Sequence, residues 1–163
     1  MYLNALEFLE EEREAWRPFE ALDGLSDEQL ERPISGAHDW AGRDLIAHLV
    51  AWVEYGITVA KELAVNPTSP TKERMDRDWD ERTGEVINTE ITTEWRALSM
   101  AEVRRRFHES PGELRGYLTV VPEARWIKNA DYQRFFIDET LDHYDEHRKD
   151  LDAILAAART PGS

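Results

Sequence analysis

The sharpest chemical signal in the sequence is a histidine pair in the segment His143-Tyr-Asp-Glu-His147. Residues four apart on an α-helix lie on the same face, separated by about 6 Å along the axis. Two imidazoles placed in this way converge on one metal ion, because metal–nitrogen bonds of about 2.0–2.1 Å fit that spacing. The pair is a weak motif by itself and needs a further ligand to indicate a site.

A third histidine, His48, lies in the segment Leu45-Ile-Ala-His-Leu-Val-Ala-Trp52, which is otherwise typical of a core. A buried imidazole needs a hydrogen-bond partner or a metal, because burial of an unpaired polar group costs free energy. One interpretation is therefore a core histidine bonded to a neighbouring side chain. The other is that His48 is a third metal ligand. The histidine pair on the inward face of another helix favours this interpretation, since three packed imidazoles without a metal stay neutral or repel one another.

Three histidine ligands leave coordination positions open, which is the pattern of catalytic rather than structural zinc sites. A water in the open position is acidified towards a pKa of roughly 7, or it is displaced by a thiolate or a carbonyl oxygen. Imidazole ligands suit zinc, nickel, copper and iron, so the ligand type does not identify the metal.

Five further residues are candidates for the surroundings of the site. Asp44 and Glu139 each lie one turn before a predicted ligand, where a carboxylate accepts the second N–H of an imidazole; the alternative for each is an ordinary solvated helix acid. Asn88 lines the pocket or is a hydrogen-bonded core amide. Trp52 and Tyr55 continue the face of His48 and form either the pocket wall or plain core.

No residue stands out as a catalytic base, and several other catalytic patterns are missing from the sequence. The eight glycines are scattered rather than gathered into a phosphate-binding loop. Neither a GxSxG elbow nor an HExxH motif is present. His38 and His108 are predicted to be surface histidines, and Trp40 is predicted to be a packing anchor.

Helical spacing of apolar residues predicts an all-α protein of four long segments with short extra helical turns. Pro18 predicts a kink or an early end of the first segment near Arg17, and Ser26-Asp-Glu-Gln29 is a capping box. Ser99 predicts a restart within the third segment, and Pro111-Gly112 a break. The first segment is Tyr2–Leu22 and the second is Ala41–Leu63. The third runs from Ile87 to Leu118 and follows a charged stretch at Lys72–Asp80. The fourth starts near Asn129–Asp131, reaches Arg159 and is closed by Thr160-Pro-Gly162.

The composition excludes several classes of protein. The chain has 20 Lys and Arg against 34 Asp and Glu, a formal net charge of −14, so it repels nucleic-acid phosphates and anionic lipid surfaces. The absence of cysteine excludes disulfides and thiolate sites. No apolar run reaches the roughly 20 residues that a bilayer requires, and the acidic N-terminus lacks a signal-peptide core. We expect a cytoplasmic protein with one domain over residues 1–163.

Two segments together resemble the DinB/YfiT-like superfamily. The segment Trp40-Ala-Gly-Arg-Asp-Leu-Ile-Ala-His48-Leu-Val-Ala-Trp52 is similar to its second-helix signature, in which a tryptophan precedes D-[LIV]-x-x-H-[LIV]-x-x-W. The segment Thr140-Leu-Asp-His143-Tyr-Asp-Glu-His147-Arg-Lys-Asp-Leu151 resembles its last-helix signature. Asn88 and the turn at Leu25–Leu30 fit as well, so the resemblance extends from Leu6 to Leu155. One departure is Ala41-Gly42, where a capping Ser or Thr is usual and whose absence weakens the helix start by about 1 kcal/mol.

The resemblance implies an up-down-down-up four-helix bundle, often dimeric, with a three-histidine site for zinc or nickel. Members related in this way are S-transferases or isomerases that use bacillithiol or mycothiol, and others are described only as metal-dependent hydrolases. A ClbS-like branch that handles a genotoxin lacks the histidines, so His48, His143 and His147 argue against it.

We therefore expect a metal-dependent enzyme that acts on a small molecule, with a low-molecular-weight thiol as cosubstrate in the transferase and isomerase cases. Two alternatives remain open from the sequence. One is a non-catalytic module that binds and sequesters a small molecule in the same pocket. The other is a metal-free helical stress protein in which the histidines are polar core groups.

Overall fold

The computed structural model describes residues 1–160, and within that range the chain is helical without strands. This confirms the prediction of an all-α bundle. The α-helices are α1 (Ala5–Trp16), α2 (Asp27–Glu31), α3 (Gly42–Val65), α4 (Pro70–Arg82), α5 (Gly84–Arg96), α6 (Met100–Val120), α7 (Ala130–Ile137), α8 (His143–Glu146) and α9 (Arg148–Ala158). A single-domain organisation stays a prediction, and the closing residues Pro161 and Gly162 lie outside the described range.

Helix starts follow the local capping chemistry of the sequence. The α1 helix ends at Trp16, and a 3-10 helix, Arg17–Gly24, begins where Pro18 was expected to interrupt it. Ser26 and Gln29 form the reciprocal capping box of α2. The side chain of Ser99 accepts from the backbone N–H of Glu102, so the third segment restarts at α6 as predicted.

The central element is α3, which makes its most extensive contacts with α6 and also packs against α5, α4 and α9. It is buried along most of its length because apolar residues occupy nearly every inward position between Leu45 and Leu63. A helix of this kind is surrounded by its neighbours, so a polar side chain in its middle must find its partners inside the protein. His48 is such a side chain.

The last helical segment is interrupted twice. After α7 the chain forms a π-helical turn, Asp138–Asp142, then the single turn of α8. At His147 the backbone leaves helical geometry, with φ −95° and ψ 6°, before α9 begins. π-turns of this type are frequent at functional sites, because the inserted residue changes which side chains face the core.

Two parts of the predicted layout are corrected. The charged stretch Lys72–Asp80 is not a lead-in segment but belongs to a full helix, α4. Pro111 and Gly112 do not break α6, which continues through them to Val120. Pro111 is buried, and the loss of one backbone hydrogen bond is tolerated there because the surrounding helix packs against α3.

Residues Ile34–Trp40 form a compact loop beside the start of α3. The loop is closed by backbone hydrogen bonds from Ile34 N to Trp40 O and from Trp40 N to Ala37 O, each 2.9 Å long. His38 and Asp39 both adopt left-handed backbone conformations, with φ of 57° and 61°. Such conformations cost free energy in non-glycine residues and persist only where surrounding contacts enforce them.

In the range 1–160, no helix is both long and apolar enough to cross a bilayer.

Candidate metal centre

The three histidines singled out by the sequence meet at one point between α3 and the last helical segment. His48 Nε2 lies 2.7 Å from His143 Nε2. One nitrogen from each of the three rings lies within 4.8 Å of the other two. The ring centroids are separated by 4.6 Å, 4.7 Å and 5.0 Å. These side chains therefore converge, as the predicted site requires.

Each ligand is positioned by a different local structure. His48 projects from the middle of α3 and is only 9% exposed. His143 is the first residue of α8, directly after the π-turn, and His147 sits at the backbone break before α9. The two helix interruptions thus frame the histidine pair, and the imidazole nitrogens are brought together although the segment is not a straight helix.

Asp150 is the residue of this site that the sequence prediction missed. Its Oδ2 lies 2.8 Å from His147 Nδ1, and the carboxylate is 1% exposed. An acid that accepts from Nδ1 fixes the imidazole tautomer and leaves Nε2 free to coordinate. The other oxygen, Oδ1, lies 3.4 Å from Nε2 of His38. His38 is exposed as predicted, but it faces this buried acid rather than solvent alone.

Burial keeps two of the ligands neutral. Burial lowers the pKa of His48 to about 4; the charge of His147 lowers it as well, and Asp150 opposes both. Burial also lowers the pKa of His143 to about 2, with further contributions from His48 and His147. A neutral imidazole keeps a lone pair for a metal at physiological pH, whereas a protonated one does not.

The donor set fits a divalent metal ion in ligand type and in charge state. Two nitrogens bound to one tetrahedral ion with bonds of 2.0–2.1 Å lie roughly 3.3 Å apart, so the 2.7 Å between His48 and His143 would have to widen by a few tenths of an ångström. As it stands, that distance is a hydrogen bond between two neutral rings. His143 Nδ1 is buried and has no hydrogen-bond partner among the described residues.

Trp40 forms a wall of the site. Its ring stacks on His147 at 5.5 Å with an interplanar angle of 24°, and it lies 5.1 Å from the ring of His48. The left-handed residues His38 and Asp39 turn the chain so that this ring reaches the histidines. Trp40 is therefore more than the packing anchor that its sequence position suggests.

The predicted pocket residues on α3 and α5 contact one another. Trp52 Nε1 donates to Asn88 Oδ1 at 3.1 Å, so Asn88 orients the indole. The Trp52 ring lies 5.5 Å from Tyr55 and 5.7 Å from Trp79. Together these rings make an aromatic wall that continues the face of α3 beyond His48. Burial and the nearby carboxylate of Glu139 raise the pKa of Tyr55, which keeps the phenol protonated.

Asp44 is hydrogen-bonded at the start of α3. One of its oxygens accepts from the backbone N–H of Ala41, the residue before the helix, at 3.0 Å, which is one half of a capping box; the half that a Ser or Thr at position 41 would form is missing. The carboxylate also accepts from Arg96 at 3.0 Å. Both interactions hold the side chain at the start of α3. No hydrogen bond joins Asp44 to His48 among the described residues, so its predicted role beside that histidine stays a prediction.

Glu139 lies in the π-turn and is mostly buried. Burial raises the pKa of its carboxyl to about 8; Asp138 and Asp76 raise it too, and Lys72 opposes them. The carboxyl group thus holds its proton through neutral pH. No hydrogen bond joins it to a histidine in the described part of the chain, so its predicted role beside His143 stays a prediction.

His108, the remaining histidine, pairs with Asp23 at 2.9 Å and is half exposed on α6. Its surface position agrees with the sequence prediction.

Fold and site together define a class of protein: a helical bundle with a convergent three-histidine cluster, which is the DinB-like arrangement. The chain belongs to the mycothiol maleylpyruvate isomerase N-terminal domain family, whose model matches residues 9–134. That family is a DinB-like four-helix-bundle family, so the resemblance seen in the sequence is confirmed. The match includes His48 but ends before His143 and His147. No curated protein and no solved structure matches the chain.

Proposed function

We propose that the protein is a metal-dependent enzyme that acts on a small molecule, with His48, His143 and His147 as the ligands of a zinc or nickel ion. The observation that carries the proposal is the convergence of one nitrogen from each histidine within 4.8 Å. The lowered pKa values of His48 and His143 support it, because they leave both rings neutral and able to coordinate.

His48, His143 and His147 would hold the ion, which would act as a Lewis acid and lower the pKa of a bound thiol or water. The chain's own residues hold the ligands in place and limit access of bulk water. Asp150 fixes the tautomer of His147, and Trp40 covers two of the three rings. A site enclosed in this way strengthens electrostatic interactions with a bound anion such as a thiolate.

The family name supports a thiol as the cosubstrate. The family is named after a mycothiol maleylpyruvate isomerase. We therefore propose that a low-molecular-weight thiol attacks an electrophilic carbon of the substrate. If the thiol adds to a carbon–carbon double bond, rotation about the resulting single bond and expulsion of the same thiol give isomerisation with the thiol regenerated. If the thiol instead displaces a leaving group, which departs with its bonding electrons, the result is S-transfer. A water that attacks an ester carbonyl and expels the alcohol gives hydrolysis. The net charge of −14 supports a small molecule rather than a nucleic acid or an anionic membrane as the partner. We also propose a cytoplasmic homodimer, as the resemblance implies.

The first experiment measures the metal content of protein purified without a histidine tag, for the wild type and for His143→Ala and His108→Ala. We expect about one divalent ion per wild-type chain, retention in His108→Ala and loss in His143→Ala. His108 is the matched control because it is a histidine whose partner, Asp23, lies outside the cluster. Equal metal content in all three proteins would remove the proposal.

The second experiment separates an enzyme from a sequestering module. The metal-loaded protein is screened with mycothiol and with thiol conjugates and esters. Turnover that a chelator abolishes and metal restores supports the enzyme. Saturable ligand binding with no turnover supports a module that only binds. A protein that holds no metal and binds no thiol would be a helical stress protein with a polar core.

A further inference from the structure

The first histidine of the pair begins a very short helix, α8, and the second follows that helix directly. α8 contains only His143–Glu146, and it lies between the π-turn and the backbone break at His147. In a long helix, neighbouring turns hold the rotation of a given turn, because each N–H bonds a carbonyl four residues earlier. Before α8 this pattern changes in the π-turn, and after it the backbone departs from helical dihedrals at His147, although the His147 N–H still bonds the His143 carbonyl at 3.2 Å. The rotation of α8 about its axis therefore depends also on the side chain that anchors this turn.

Tyr144 is the buried residue within α8, while Asp145 and Glu146 point outwards. Its ring packs 5.1 Å from Trp16 and 5.9 Å from Phe19. It follows one ligand directly and precedes the other by three positions. A rotation of Tyr144 away from its partners would consequently move both imidazoles.

The hydroxyl of Tyr144 is hydrogen-bonded to a buried ion pair, so that α8 is linked to α1 and α6. It donates to Glu12 Oε1 at 2.9 Å. The other oxygen of Glu12 accepts from Arg115 Nη1 at 2.8 Å. Glu12, on α1, is 1% exposed, and Arg115 is on α6. Burial raises the pKa of the Glu12 carboxyl, while Arg115 and the hydrogen bond from Tyr144 act in the opposite direction and favour the ionised form. A hydrogen bond to a carboxylate is stronger than one between neutral groups.

A buried ion pair is poor evidence for stability, because desolvation of the two charges offsets much of their attraction. A well-packed apolar pair would fill the same space without that cost. What the ion pair adds is a fixed acceptor at a fixed place, and the side chain that uses it belongs to the ligand-bearing turn.

We propose that Glu12, held by Arg115, is a positioning residue that fixes the rotation of α8 through the Tyr144 hydroxyl and so sets the relative placement of His143 and His147. This inference rests on the proposed function, because the interaction between Glu12 and Tyr144 is said to position two proposed metal ligands. The contacts that support it belong to residues outside the metal-binding set.

The test compares three conservative variants. Tyr144→Phe removes the hydroxyl and keeps the ring. Glu12→Gln keeps an oxygen that accepts from Tyr144 but loses the charge that pairs with Arg115. Tyr132→Phe is the matched control, because it removes another buried tyrosine hydrogen bond, the one that Tyr132 accepts from the backbone N–H of Ser69 at 2.7 Å.

Zinc affinity and the unfolding free energy are measured for each variant. We expect Tyr144→Phe to bind zinc about 10-fold more weakly, as for the loss of groups that orient metal ligands. Glu12→Gln no longer pairs with Arg115, so its acceptor is held less firmly; we expect it to bind zinc more weakly than the wild type but less weakly than Tyr144→Phe does. Tyr132→Phe loses stability without losing zinc. Wild-type affinity in Tyr144→Phe would overturn the inference, and so would an equal loss of affinity in Tyr132→Phe.

A second readout needs no metal. Because His48 Nε2 and His143 Nε2 lie 2.7 Å apart, the N–H of the ring that donates should give a downfield imidazole resonance in the proton NMR spectrum of the metal-free protein. We expect that resonance in the wild type and in Tyr132→Phe, its loss or shift in Tyr144→Phe, and a smaller shift in Glu12→Gln. An unchanged resonance in Tyr144→Phe contradicts the inference. A wild type that binds no zinc contradicts the proposed function, and the resonance still decides whether Tyr144 sets the rotation of α8.

Discussion

Among the three histidines proposed as ligands, His147 is the one whose Nδ1 is hydrogen-bonded to an acid, Asp150. Asp150 accepts from His147 Nδ1, while Nδ1 of His143 has no hydrogen-bond partner in the described residues. A carboxylate that accepts from a ligand imidazole makes the ring more basic and fixes its orientation. If the cluster binds a metal as proposed, Asp150 should therefore increase the affinity of His147 for it.

We expect Asp150→Asn to weaken metal affinity by about 10-fold, because the amide still accepts a hydrogen bond from His147 but carries no charge. Isothermal titration with zinc measures the change. The matched control is Asp152→Asn, an exposed acid of the same helix that pairs with Arg148. Equal affinities in the two variants would show that Asp150 does not support His147.

At this scale the sequence predicted the three histidines but not their surroundings. Spacing and an apolar context sufficed for His48, His143 and His147, because a helix face can be read from residue types. The partner acid was sought one turn before each ligand, at Asp44 and Glu139. It lies instead three residues after His147, where the backbone break brings Asp150 back towards the ring. A search of i+3 as well as i−4 positions would have found it.

Among the helices, α4 is one that the spacing of apolar residues could not predict. None of its residues is buried, so it has no apolar stripe to recognise. Its start is nevertheless encoded, since Ser69 caps it and Pro70 occupies the first turn. The π-turn and the break at His147 also escaped prediction. They result from packing of the last segment against α3 and α1, which a single sequence does not display.

The contact between α4 and α5 depends on a glycine. A Cβ on Gly84, the first residue of α5, would lie 2.3 Å from the indole of Trp79. That indole covers Trp52 at 5.7 Å, so the close approach of the two helices supports the aromatic wall.

We expect Gly84→Ala to destabilise the protein by about 1–3 kcal/mol, because Trp79 must move off Trp52 to make room. Gly116→Ala is the control: this residue is exposed inside α6, and nothing lies within 4 Å of the added carbon. It should stabilise the protein by about 0.5–1 kcal/mol through helix propensity. Denaturant unfolding measures both, and the argument fails if Gly84→Ala is as stable as Gly116→Ala.

Across the whole molecule, buried histidines and a buried acid make stability depend on pH in opposite directions. His48 and His143 have folded pKa values below the ordinary 6.5. As pH falls below 6.5, these two histidines bind protons in the unfolded chain but not in the folded protein, so the free energy of unfolding decreases. Glu139 has a folded pKa raised from 4.5 to about 8. As pH rises from 4.5 to 8, the unfolded chain releases a proton that the folded protein keeps, and stability is again lost.

The metal-free protein should therefore be most stable near pH 6.5, where the stability still gained with rising pH from His48 and His143 is balanced by the stability lost from Glu139. Glu139→Gln isolates the second effect, because an amide fills the same space without titrating. We expect the difference in unfolding free energy between this variant and the wild type to change in favour of the variant by at most about 1.4 kcal/mol per pH unit between pH 4.5 and 8. Glu10→Gln, at an exposed position of α1, should follow the wild type throughout. A wild-type profile parallel to that of Glu139→Gln would mean that the carboxyl is already ionised in the fold, and the aromatic wall beside it would then face a negative charge at neutral pH.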